Sequence, residues 1–167
     1  MKNIVLIGMP GAGKSTVGVL LAKTLGMVFI DTDLEIQARE KRLLSKIIEG
    51  DGLEGFLKIE EQTALSCFPI NAVIATGGSM VYSAKAMHHL KEKAVTCYLK
   101  LDYKTLEGRI RNITTRGIVM KPHQTLEGIY MERLLLYEAY ADITIDCIGL
   151  NTEDLVGAIV KIINEYK

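Results

Sequence analysis

The sequence predicts an α/β fold built on a parallel sheet with helices over both faces. Two observations carry that prediction. Five short apolar runs, several rich in β-branched residues, alternate with longer stretches of helical periodicity along the 167 residues. The first of these runs leads directly into a glycine-rich turn and a helix, the local arrangement of a phosphate-binding loop. The length predicts one domain, residues 1–167, with chain enough for a sizeable core.

The elements follow in order. Ile4–Ile7 is short and wholly apolar, as expected of a strand buried on both faces. Gly8-Met9-Pro10-Gly11-Ala12-Gly13-Lys14-Ser15-Thr16 comes next, opening a helix over Lys14–Leu25. A second strand over Met27–Ile30 ends in Asp31-Thr32-Asp33, and helices are expected over Leu34–Arg42 and Phe56–Cys67. The third strand, Ala72–Ala75, ends in Thr76-Gly77-Gly78-Ser79 and precedes a helix over Ala84–Lys93. Val95–Leu99 is the fourth strand, followed by a helix over Tyr103–Arg111. Ile113–Gln124 is polar and aperiodic, long for a connection in a compact domain, and so is expected to be a lid. Leu126–Tyr140 is helical, Ile143–Ile145 is the fifth strand, and Asp154–Tyr166 closes the chain as a helix.

In such sheets ligands bind beyond the carboxyl ends of the strands, so the chemistry is sought there. Glycines in the 8–13 turn let backbone N–H groups face phosphate oxygens with no Cβ in the way. Lys14 can reach the β- and γ-phosphates and Ser15 can hold Mg²⁺, so the segment implies a bound nucleoside triphosphate. Asp31 is placed to hold the hydration shell of that metal. Asp33 can orient an acceptor hydroxyl or take its proton, although Thr32-Asp33-Leu34-Glu35 also reads as a capping box. Gly77 and Gly78 suggest close backbone approach to a ligand. Arg116 can close over the triphosphate, and Arg133 can bind an anionic substrate group or stand as a solvated helix charge.

Together these residues resemble the shikimate kinase family, across nearly the whole chain. The resemblance rests on residues 8–16, on Asp-Thr-Asp at 31–33, and on Asp51-Gly52 leading to Phe56 and Ile59-Glu60-Glu61. It continues through Gly77-Gly78, Arg116, Arg133 before Leu136-Tyr137-Glu138, and Ala141-Asp142-Ile143. It implies a three-layer P-loop fold, a five-stranded parallel sheet in order 2-3-1-4-5, a mobile lid at about 112–124 and an acceptor-binding region at about 31–61. It further implies ATP-dependent phosphorylation of a hydroxyl. In that reading Lys14, Asp33 and Arg116 are catalytic, and Gly11, Ala12, Gly13, Lys14, Ser15, Thr16, Arg109 and Arg116 hold ATP, Arg109 near the adenine. Asp33, Gly77, Gly78 and Arg133 bind the acceptor, and Ser15 and Asp31 hold Mg²⁺. Three positions depart from the family pattern: Leu57 stands where the family has an arginine, Ser79 where it has a third glycine, and Arg116-Gly117-Ile118-Val119 where it has Arg-Pro-Leu-Leu. Shikimate is the expected acceptor, with another polyol or hydroxy acid as the alternative and a non-catalytic ATP-binding protein behind it.

Charge bounds the partners. Twenty basic residues balance twenty acidic ones, so there is no global field to attract nucleic acid or an anionic membrane. No apolar run approaches the length of a membrane span. Cys67, Cys97 and Cys147 are widely spaced and are expected to be reduced thiols, and His88 and His89 to be solvated. A cytoplasmic, monomeric enzyme acting on a small alcohol is expected.

Overall fold

A computed structural model describes residues 2–67, 69–110 and 118–165. Five strands, β1 (Asn3–Ile7), β2 (Val28–Asp31), β3 (Ala72–Ala75), β4 (Ala94–Lys100) and β5 (Ile143–Asp146), form one sheet in the order β2-β3-β1-β4-β5. Every pairing in it is parallel. All residues of β1 and β3 are buried, which is why they read as unbroken apolar runs. β5, at an edge, alternates buried and exposed residues.

The helices are α1 (Lys14–Leu25), α2 (Thr32–Glu40), α3 (Leu44–Ser66), α4 (Ala84–Glu92), α5 (Tyr103–Ile110), α6 (Leu126–Tyr140) and α7 (Thr152–Glu165), with a 3₁₀ turn at Met80–Tyr82. α1 lies close on the sheet because Gly18 carries no Cβ. One there would stand 2.5 Å from the Phe29 ring of β2. Asn3 ties the chain before β3 to β1: its side chain donates to Pro69 O at 2.7 Å and accepts from Ala72 N at 2.9 Å.

The expected elements are present, with differences that have local causes. α3 begins at Leu44 rather than Phe56, as two helical segments joined across a kink at Gly52, whose non-helical backbone (φ 69°, ψ 178°) a side chain would resist. α2 is capped by Asp31, not by Thr32: the Asp31 carboxylate accepts from Asp33 N at 3.0 Å and Leu34 N at 3.4 Å. Thr32 is instead buried and its hydroxyl accepts from Gly77 N at 3.0 Å. His89 is half-buried, with Nε2 3.2 Å from Cys67 O, so only His88 of that pair is exposed. The three thiols are free, and burial pushes Cys97 up to about 12.

Besides the main core, a smaller apolar cluster joins Ile36 of α2, Ile47 and Phe56 of α3 and Val119. It joins α2 and α3 to Val119, beyond α5 and before α6.

Candidate active site

A cleft opens beyond the carboxyl ends of β1, β2 and β3. The turn after β1 forms its first wall. Gly8, Gly11 and Gly13 have φ of 146°, 85° and 92°, and a Cβ on Gly8 would come within 2.8 Å of Leu99 O. Lys14 is buried and its Nζ donates to Gly8 O at 2.7 Å and Met9 O at 2.9 Å. The lysine is thereby held across the mouth of the turn. The N-terminus of α1 adds backbone donors and a positive dipole end.

Asp31 links this wall to the next. Its Oδ2 accepts from the Ser15 hydroxyl at 2.6 Å while Oδ1 caps α2, so its carboxylate is fixed from both sides. Two hard oxygen donors at the head of the turn suit Mg²⁺, which takes one or two protein oxygens and keeps several waters.

The third wall follows β3. A Cβ on Gly77 would collide with Glu60 Oε1 and stand 2.8 Å from Asp33 Oδ1. One on Gly78 would stand 2.6 Å from Pro10 Cδ and 3.1 Å from Arg133 Nη1. Both positions therefore exclude side chains, because Glu60 and Asp33 stand over the first and Pro10 and Arg133 over the second. Tyr137 of α6 holds this floor: its hydroxyl donates to Gly78 O at 2.6 Å, and its ring stacks on Tyr98 at 5.1 Å.

Arg133 settles its alternatives. It is 1% exposed, so it is not a solvated helix charge. Its Nη2 donates to Val119 O at 2.9 Å, its Nε to the Tyr82 hydroxyl at 3.2 Å, and the guanidinium lies 5.1 Å over the Tyr82 ring. Arg133 lines the cleft, with Nη1 standing over Gly78.

Lys14, Ser15, Asp33, Gly77, Gly78 and Arg133 all line the one cleft, together with Gly11 and Gly13. Ala12, Thr16 and Arg109 line a second depression behind the turn, with Val17, Cys147, Leu150, Thr152 and Leu155. Arg109 Nη1 donates there to Gly11 O at 3.3 Å. Arg116 lies outside the described residues.

Sequence reasoning left out Glu60, Tyr82, Tyr137 and Val119 as site residues. Glu60 left a readable signal: it shares the buried face of α3 with Phe56, Thr63 and Ala64, where an acidic residue is out of place. Tyr82, in a 3₁₀ turn, and Val119, in an aperiodic segment, left none.

The family model described as shikimate kinase matches residues 10–164. A shikimate kinase of Thermodesulfovibrio yellowstonii is 37% identical, over 100% of this chain and 96% of its own. The structure of a shikimate kinase from Acinetobacter baumannii in complex with shikimate superposes with a TM-score of 0.91 at 30% identity, covering 100% of this chain and 95% of that one. Shikimate kinase from Aquifex aeolicus gives 0.79 at 26% identity, covering 97% and 96%.

Proposed function

The chain belongs to the shikimate kinase family, and on that premise we propose that it transfers the γ-phosphoryl group of ATP to a hydroxyl of shikimate, giving ADP and shikimate 3-phosphate. The observation that carries this reading is that one cleft joins a phosphate-binding turn to a carboxylate, Asp33, and a buried arginine, Arg133.

The triphosphate lies on the backbone N–H groups of residues 11–13 and the N-terminus of α1. Lys14 exchanges its contacts with Gly8 O and Met9 O for phosphate oxygens. Ser15 and Asp31 would hold Mg²⁺, which would supply charge neutralisation for the triphosphate. Arg109 flanks the adenine in the depression it shares with Thr16, Cys147 and Leu150. Arg116, outside the described residues, is assigned to the phosphates.

At the other end Asp33, above Gly77, receives the acceptor hydroxyl and points it along the line of attack. Arg133 binds the acceptor carboxylate through Nη1, over Gly78. Transfer through a loose, in-line transition state needs mainly such positioning and charge stabilisation. Balanced charge and free thiols suit a cytoplasmic monomer with no nucleic-acid or membrane partner.

An acceptor panel tests the reading. With Mg-ATP, kcat/KM for shikimate should exceed that for gluconate and for hydroxy amino acids by 100-fold or more. A higher value for any of those acceptors would reassign the substrate to another hydroxy acid.

A further inference from the structure

The transfer just described leaves one buried ionisable group of the cleft unused. Glu60 is 2% exposed, reaching from α3 to the floor at Gly77. Its Oε2 accepts from the Ser79 hydroxyl at 2.5 Å, while Oε1 is buried with no hydrogen-bond partner among the described residues. That atom points at the space over Gly77 that it shares with Asp33 Oδ1, one residue from where Arg133 Nη1 stands over Gly78. A buried polar atom left unpaired costs free energy of order 1–3 kcal/mol, and a ligand that pairs it recovers that. Leu57, one turn earlier on α3, packs against the apolar cluster and offers no donor. Among the described residues, Lys14 and Arg133 are the cations lining the cleft, and Lys14 stands at the phosphate end.

We propose that Glu60 is a specificity-determining residue whose Oε1 hydrogen-bonds directly to the carboxylate of the bound acceptor, beside Arg133. The assignment rests on the shikimate reading above. For Oε1 to face a carboxylate it must donate, and the surroundings keep a proton on it. Burial, with the charge of Asp33 on α2, pushes Glu60 up to about 8, against the opposing pull of the Ser79 hydroxyl, Arg133 on α6 and Lys14 on α1. Tyr137 on α6 is itself raised by burial and carries no charge in this range. Because the Ser79 hydroxyl is given to Oε2, Oε1 is the oxygen left to hold the proton. Ser79 thus turns the free oxygen toward the substrate. Above pH 8 the same group becomes an anion facing an anion.

Direct binding of shikimate by calorimetry from pH 6.5 to 9.5, alongside binding of Mg-ATP, tests this. The wild-type Kd for shikimate should rise about tenfold per pH unit beyond 8, with Mg-ATP binding level. Glu60→Gln keeps an N–H donor, so its Kd should stay within about threefold of the wild-type low-pH value and lose the pH dependence. Ser79→Ala removes a hydrogen bond that favours the ionised form, so its midpoint should move to higher pH. A flat wild-type profile with shikimate bound, or a Glu60→Gln Kd raised tenfold or more at pH 7, overturns the proposal alone. Intact Mg-ATP binding with no shikimate binding at any pH overturns the acceptor reading and this proposal with it.

Discussion

Replacing Arg133 by methionine isolates the acceptor end of the cleft. Methionine keeps much of the length and the apolar contact with the Tyr82 ring but removes the charge and the three donor nitrogens. A hydrogen bond to a charged group contributes about 1.5–3 kcal/mol. At 1.4 kcal/mol per decade this is a rise in KM for shikimate of about 10- to 150-fold. Val119 O, which is buried, loses the Arg133 donor, with a stability cost of about 1–3 kcal/mol for a buried group left unpaired. Urea unfolding measures that cost separately. In a coupled ADP-release assay, KM for shikimate should rise while KM for ATP stays within about twofold, since the hydrogen bonds of Arg133 run to Val119 O and the Tyr82 hydroxyl rather than to the phosphate-binding turn. Arg133→Lys should recover only part of the loss, because an ammonium cannot serve Val119, Tyr82 and a carboxylate from one fork. If KM for ATP rises and KM for shikimate does not, Arg133 does not bind the acceptor and the layout over Gly78 is wrong.

Three further outcomes follow from the same geometry. Asp33→Asn should lower kcat by about 10²–10⁴ while calorimetry shows Mg-ATP binding nearly unchanged, and near-normal turnover would remove Asp33 from the reaction. Gly18→Ala should destabilise the fold by about 1–3 kcal/mol in urea, because the new methyl meets the Phe29 ring on β2; an unchanged midpoint would mean α1 can lift from the sheet without cost. Glu60 sets a pH dependence of stability. Its native value is raised to about 8 from an ordinary 4.5, so the native state holds a proton that the unfolded chain has released. Its contribution is therefore fully present below about 4.5 and is lost as pH rises to 8. The stability advantage of Glu60→Gln over wild type in urea should grow across that window and then level off; a constant difference would contradict a buried, proton-holding carboxyl.

Much of this was legible in the sequence because it rests on local chemistry. The alternation of apolar runs and amphipathic stretches marks five strands and their helices, and residues 8–16 mark the phosphate wall. Asp31, Asp33, Gly77 and Gly78 stand out because they end strands. What escaped depends on contacts distant along the chain. The helical segment from Leu44 to the kink at Gly52 was not expected, and it is held by the packing of Ile47 with Phe56 on Ile36 of α2. The capping role of Asp31 was displaced onto Thr32 because a capping box has a sequence signature, whereas Thr32 is engaged by a backbone 45 residues away. Arg133 could be read either way until its burial was known. The pairing of Ser79 with Glu60 spans 19 residues and leaves no pattern in the chain.

The most direct test of the kinase assignment is ADP release from Mg-ATP by purified protein, with and without shikimate, with the organic product identified by mass and by phosphorus resonance. The account predicts saturable, shikimate-dependent turnover with KM between micromolar and millimolar, and one phosphate ester formed per ADP. Tight binding of Mg-ATP with no shikimate-dependent ADP release and no ester would contradict it.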